Sequence, residues 1–178
     1  MTTLAEEMKF DETQPLDFTE IARLCKHRVK DLQLLFVDLE TIKGRYTLSR
    51  FLPAGVNVSA ILLTSRIKHK LQRHWTVLIR TNKKIEFFDP LALGKTMLDV
   101  VLGDKGKFTA FLKQIKAEFN TRAVQQRKED VRTCGLHAVS RIFKHKLDNK
   151  TYERWILSIK SLKPDQLVAI LTYFGHMT

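Results

Sequence analysis

The stretch HWTVLIRTNKKIEFFDP, His74 to Pro90, decides the fold. Two runs in it, Trp75–Arg80 and Ile85–Asp89, are rich in β-branched and aromatic residues. Thr81-Asn82-Lys83-Lys84 separates them, which is the signature of a β-hairpin. With a two-residue turn at Thr81-Asn82, His74 and Asp89 stand directly opposite each other. Opposed residues project to one face with Cβ atoms ~5 Å apart. An aspartate there orients an imidazole and stabilises its charged form.

Working outward, Cys134-Gly135 lies at an expected helix start, with Leu136, Val139, Ile142 and Phe143 on the buried side. A thiolate, not a thiol, is the nucleophile, and a helix N-terminus offers it partial positive charge and free N–H groups. Gly135 lets the backbone turn tightly so that a substrate can approach. Gln125-Gln126 lies upstream, where an amide side chain could donate to the oxyanion of a tetrahedral intermediate. Each feature is weak alone. A strand histidine is usually structural, Asp-Pro is usually a turn, and a helical cysteine is usually packing. The joint order of base, orienting acid, oxyanion donor and nucleophile points to cysteine acyl-transfer chemistry.

The rest of the chain reads as an α+β domain with a mixed β-sheet flanked by helices. Residues 1–16 are polar and acidic and read as a loose arm. Asp17 and Glu20 form a capping box for a helix whose face carries Phe18, Ile21, Leu24 and Cys25. Leu32–Asp38 reads as a buried strand. Residues 41–57 read as loop with short extended pieces, and 90–106 as irregular. Phe108, Phe111, Leu112, Ile115 and Phe119 recur at helical spacing, and Thr121–Gln125 fits one short strand. Pro164 takes the first position of a last helix with Leu167, Ile170, Leu171 and Phe174 on its apolar face.

The chain has 178 residues, enough for a single domain with a proper core. Its apolar stretches, such as Val58–Leu63, are far short of the ~18 residues a membrane span needs. The two scattered cysteines give no disulfide framework, and no signal-peptide pattern opens the chain, so secretion is not expected. Lys and Arg outnumber Asp and Glu by 31 to 19, for a net charge of +12. The first twenty residues sum to −5, so the remaining 158 carry +17. Such a body suits a polyanionic partner, most simply nucleic acid. Lys68, Lys70, Lys83, Lys84, Arg127 and Lys128 are the candidate DNA contacts, with further basic clusters at Lys26-His27-Arg28 and Lys144-His145-Lys146. Each cluster alone reads as a solvated face.

The order His-Trp, Asp-Pro, Gln, Cys-Gly resembles the adenovirus-protease-like cysteine peptidases, which share a fold with the SUMO-specific proteases. HWTVLIRTNKKIEFFDPLALG is similar to that family's His-Trp strand and following acidic strand. TCGLHAVSRIFKHK with YERWILSIKSLKPDQLVAILT looks more like the capsid-maturation proteases of virophages and Polinton-type elements. The resemblance covers roughly residues 70–175. It implies a papain-like architecture of the adenain and SUMO-protease type, spanning 1–178 as one peptidase domain. It further implies Cys134 as nucleophile, His74 as general base and Asp89 as third triad member, with Gln126, or alternatively Gln125, at the oxyanion. The family's glutamine lies six or seven residues before its cysteine. Here Gln126 is eight before and Gln125 nine, so the choice stays open. Trp75 and Gly135 fall on the substrate side, Trp75 chiefly as packing beside the site. The implied activity is maturation of capsid precursors in a virion, host cytoplasm or viral factory, by a monomer with no membrane partner. No cofactor is obligatory, although adenoviral members are stimulated by DNA and an activating peptide.

Two other readings remain: a protease that releases SUMO or ubiquitin-like proteins, and a non-enzymatic basic DNA-binding module. Gly94-Lys95-Thr96 lacks the first glycine of a phosphate-binding loop. The histidines and cysteines show no zinc-ligand spacing, so no metal is expected. His137 follows Cys134 by three residues but has no acidic neighbour in sequence, and is set aside as the base.

Overall fold

The computed structural model describes residues 15–28, 33–67, 70–81, 83–128 and 131–173, with the side chains of 26–28, 65–67 and 70 excepted. Five strands form one mixed sheet in the order β1-β2-β3-β4-β5. These are β1 Leu34–Asp38, β2 Val58–Ile67, β3 Lys70–Arg80, β4 Ile85–Phe88 and β5 Glu118–Phe119. The outer pairs are parallel and the central β2-β3-β4 meander is antiparallel. Helices α1 Phe18–Arg28 and α2 Leu48–Phe51 belong to the N-terminal third. Helices α3 Gly94–Leu102 and α4 Lys107–Gln114 follow β4, and α5 Cys134–Phe143, α6 Asn149–Ser158 and α7 Pro164–Tyr173 come last among the described residues. This is the expected α+β arrangement of a mixed sheet flanked by helices.

Alternation along the strands divides the core in two. Val58, Ala60 and Leu62 of β2 join Val77 and Ile79 of β3 against α1, α5, α6 and α7. Ile61, Leu63, Leu78 and Phe87 meet Phe51, Leu98, Phe108 and Phe111 on the other face. Aromatic contacts fill that second layer, with Phe51 stacked on Phe111 at 4.6 Å and Phe87 edge-on to Phe108 at 5.8 Å. The sheet is therefore fixed from both sides, and α5 is held over β3 as a rigid element.

Several expectations meet corrections. The hairpin closes one residue late: Thr81 N donates to Lys84 O at 2.9 Å, and Arg80 pairs with Ile85. Asn82 itself lies outside the described residues. Val77 consequently pairs with Phe88, a register moved by two. A shift of two keeps every side chain on its original face, so His74 and Asp89 remain on one side, now diagonal. Within the supposed loop 41–57, α2 forms. Within the supposed irregular stretch 90–106, α3 forms, ending at Gly103 in the left-handed region (φ 62°). The helix α4 stops at Gln114 where apolar spacing carries it to Phe119. Lys116 turns left-handed (φ 53°), Lys116 N donates to Lys113 O and Ala117 N to Leu112 O. That Schellman closure redirects the chain into β5. No strand forms at Thr121–Gln125. Phe174 and residues 1–14 of the acidic arm lie outside the described residues. Leu16, at the arm's end, is not loose but packs against the α1 side of the core.

Candidate active site

The site forms where β4 ends before its neighbour. Pairing of β3 with β4 stops at Val77 and Phe88, leaving His74 and Trp75 without a strand on that side. Into this space come Asp89, the residue after β4, and Cys134, the first residue of α5. Their order in space follows from three chain features: a long strand, a short strand and a helix start.

His74 Nε2 lies 2.6 Å from Asp89 Oδ1. Nε2 is thus committed to the carboxylate, and Nδ1 is the ring nitrogen left for the thiol of Cys134, whose ionised form the imidazole favours. Asp89 is itself locked. Its Oδ1 also accepts from Leu91 N and its Oδ2 from Leu93 N, both at 2.9 Å. Asn120 stands in for a further strand residue. Its Oδ1 accepts from Asp89 N at 2.7 Å and its Nδ2 donates to Asp89 O at 2.8 Å. Asn120 gave no signal in the sequence, because its partner is 31 residues away.

Electrostatics follow this geometry. Burial disfavours charge on His74, but the hydrogen bonds to Asp89 and Cys134 outweigh it and raise its pKa to about 10. Burial also opposes the Cys134 thiolate, yet the imidazole and the backbone N–H groups of Trp75 and Gly135 bring its pKa below the ordinary 9.0. Asp89, despite burial, is held below the usual carboxylate range by His74 and by the Leu93 and Leu91 amides. Cys25 is the natural contrast. It is 3% exposed where Cys134 is 6%, but it has no such partners, and burial pushes it up to about 12. The arrangement favours a thiolate–imidazolium pair at Cys134 and no ionisation at Cys25.

A second tie aligns the helix that begins at Cys134 with the strand that leads to Asp89. Arg141 of α5 donates from Nη2 to Glu86 Oε2 of β4 at 3.1 Å, both side chains being buried. The same guanidinium reaches Asn149 Oδ1 and the carbonyls of Lys144 and Leu147. Glu86 also accepts from Asn149 N at 3.1 Å. The buried pair is therefore fully engaged, the condition under which such a pair is tolerated.

The remaining expected residues fall around this centre. Trp75 is buried, its indole N–H donates to Leu16 O at 2.8 Å, and Phe18 meets it edge-on at 4.8 Å. It is packing beside the site. Gly135 is under Leu16, whose Cβ would lie only 2.8 Å from any added Cβ. Gln125 is buried with Nε2 on Val131 O at 3.4 Å, while Gln126 is half-buried with its backbone N–H on Asp165 Oδ2 at 3.1 Å. Neither glutamine side chain is hydrogen-bonded to Cys134. His137 does have an acidic partner, Asp165, 28 residues on and at 3.0 Å. It is fully buried and bonded away from the thiol, so it does not replace His74.

Among the candidate DNA contacts, Lys84 is occupied by Glu118 at 2.6 Å and Glu86 at 2.9 Å. Arg127 donates to Leu91 O. Lys83 and Lys128 are exposed. Lys68 and the side chains of Lys70 and of Lys26-His27-Arg28 lie outside the described residues. Among the described residues, no group of three or more His, Cys, Asp or Glu is placed to hold a metal, and no helix is long and apolar enough to cross a membrane. Compared with known proteins, the chain matches no family model and no curated protein.

Proposed function

We propose that the chain is a cysteine endopeptidase of the adenovirus-protease-like type, with the papain-like architecture of that group, acting on capsid or other structural precursors. The observation that carries this reading is the Cys134–His74–Asp89 arrangement, with one buried cysteine turned toward thiolate and the other turned away from it.

In the first step Cys134 Sγ attacks the scissile carbonyl carbon. A C–S bond forms and the carbonyl electrons move to oxygen. Asp89 fixes the imidazole ring so that its proton faces the departing nitrogen. As the tetrahedral species collapses, the C–N bond breaks and His74 gives its proton to the amine. Water then adds to the thioester while His74 takes one of its protons. The C–S bond breaks, and the carboxylic acid and the original thiolate–imidazolium pair are recovered. The N-terminus of α5 and an amide from the 125–126 stretch are the groups available to the oxyanion.

Profiling with a peptide library read by mass spectrometry tests the reading. New termini are expected with the native chain and none with Cys134→Ala, whose folding is checked by circular dichroism. Cleavage retained in that variant overturns the proposal. Fast, saturable release from SUMO- or ubiquitin-fused reporters would instead assign the same site to deconjugation.

A further inference from the structure

Behind the nucleophile lies a second histidine–aspartate pair that the chemistry above does not use. Asp165, at the start of α7, is fully buried and receives three donors. His137 Nε2 lies 3.0 Å from its Oδ1, Thr133 Oγ1 donates to the same oxygen, and the Gln126 backbone N–H reaches Oδ2 at 3.1 Å. These donors come from three functionally distinct places. Gln126 belongs to the stretch expected to serve the oxyanion. Thr133 is the residue before Cys134, and its carbonyl accepts from His137 N at 2.9 Å to close the first turn of α5. His137 lies one turn into the helix.

We propose that Asp165, with Thr133 and His137, is a positioning unit that ties the Gln125–Gln126 stretch to the start of the nucleophile's helix and so sets the oxyanion side of the site. This rests on the peptidase reading. The His74 side is held separately, by Asp89, Asn120 and the Glu86–Arg141 pair, so the two halves of the site are braced by different residues. Asp165 accepts most strongly from all three donors while ionised. Burial opposes that charge, but His137, Thr133 and the Gln126 amide more than offset it. Burial and the neighbouring His74 charge both keep His137 neutral, although Asp165 favours its charged form. A neutral His137 donating from Nε2 leaves Nδ1 as an acceptor, and that atom is buried with no hydrogen-bond partner among the described residues.

Separate braces predict separable effects. Alkylation by iodoacetamide needs the thiolate and its imidazolium but no oxyanion site. Acylation by p-nitrophenyl acetate needs both. Thr133→Val removes the hydroxyl at nearly constant volume, and Thr133→Ser keeps it. The valine variant is expected to alkylate Cys134 at pH 7 within about twofold of native, while its acylation rate falls about 10- to 100-fold, the scale of a small misplacement at a reacting centre. The serine variant is expected to retain both rates. Asp165→Asn sets an amide against three donors and is liable to unfold, so the Thr133 pair carries the test. Native acylation in Thr133→Val, equal loss of both rates, or a serine variant as impaired as the valine one overturns the assignment. A native chain that shows neither fast alkylation nor acylation overturns the peptidase reading itself.

Discussion

Replacing His74 with alanine removes the largest favourable influence on the Cys134 thiolate and leaves the burial that opposes it. Cys25 shows what a buried thiol of this chain becomes without such partners: its pKa is about 12, against an upper bound of 9.0 for Cys134 in place. If Cys134 reaches the Cys25 value, its thiolate fraction at pH 7 falls by at least about a thousandfold. A more basic thiolate is intrinsically more reactive. A Brønsted slope of ~0.4–0.5 over three pKa units returns roughly 15- to 30-fold. The net expectation is a loss of about 30-fold or more in the rate of iodoacetamide alkylation at Cys134. Mass spectrometry of timed samples at pH 7 follows both cysteines in one experiment. Cys25 is the control, because its exposure is almost the same and its surroundings do not include His74. In the native chain Cys134 should react much faster than Cys25, and in His74→Ala the two should converge. A His74→Ala rate at Cys134 within a fewfold of native would refute the thiolate–imidazolium pair. So would equal rates for the two cysteines in the native chain.

Asp89→Asn should lower acyl-transfer turnover by about 10²- to 10⁴-fold, because the ring loses both orientation and charge stabilisation. The native pH–rate profile should rise through the lowered Cys134 value on the acid side and fall near pH 10, where His74 loses its proton. In Asp89→Asn the alkaline limb moves down, and an unmoved limb counts against the role of Asp89. Glu86→Ala leaves the Arg141 guanidinium buried and unpaired, so urea unfolding should show a loss of about 3–5 kcal/mol. Gly135→Ala forces a methyl against Leu16 and should cost about 1–3 kcal/mol. Adding Leu16→Gly, which removes the Cβ that the new methyl meets, should recover part of that loss, and strictly additive losses would show that the crowding is absent.

How much of this was legible in the sequence depends on the range of the interaction. The capping box at Asp17 and Glu20 is local, and both reciprocal bonds form at 2.8 Å. The hairpin was legible in its existence but not in its register, since Thr81-Asn82-Lys83-Lys84 offers two adjacent places for the turn. The error was harmless to the site because strand side chains repeat every two residues. The end of α4 was hidden for a different reason. A left-handed cap is normally announced by glycine, and here Lys116 takes that conformation. Helix α3 was missed because its apolar residues do not form one stripe: Leu98 is buried while Met97 and Val100 are about half and two-thirds exposed.

The same distinction separates the reacting groups from their supports. His74 and Asp89 sit on or just past the strands of the hairpin, and Cys134 at a helix start. A one-dimensional reading can find landmarks. Their supports are pairings across 28 to 63 residues: His137 with Asp165, Asp89 with Asn120, Glu86 with Arg141 and with Asn149. Nothing near His137 in the sequence indicates that a carboxylate will reach it, and without one it reads as a spare histidine. A thiolate in a nearly dry site requires the supports on the His74 side, because a partner displaced by an ångström leaves burial unopposed and returns the thiol to the state of Cys25. The chemistry proposed for the site therefore rests as much on Asn120, Glu86, Arg141 and Asp165 as on Cys134, His74 and Asp89: loss of the His74-side supports should lower thiolate formation and acyl transfer together, whereas loss of the Asp165 tie should lower acyl transfer alone.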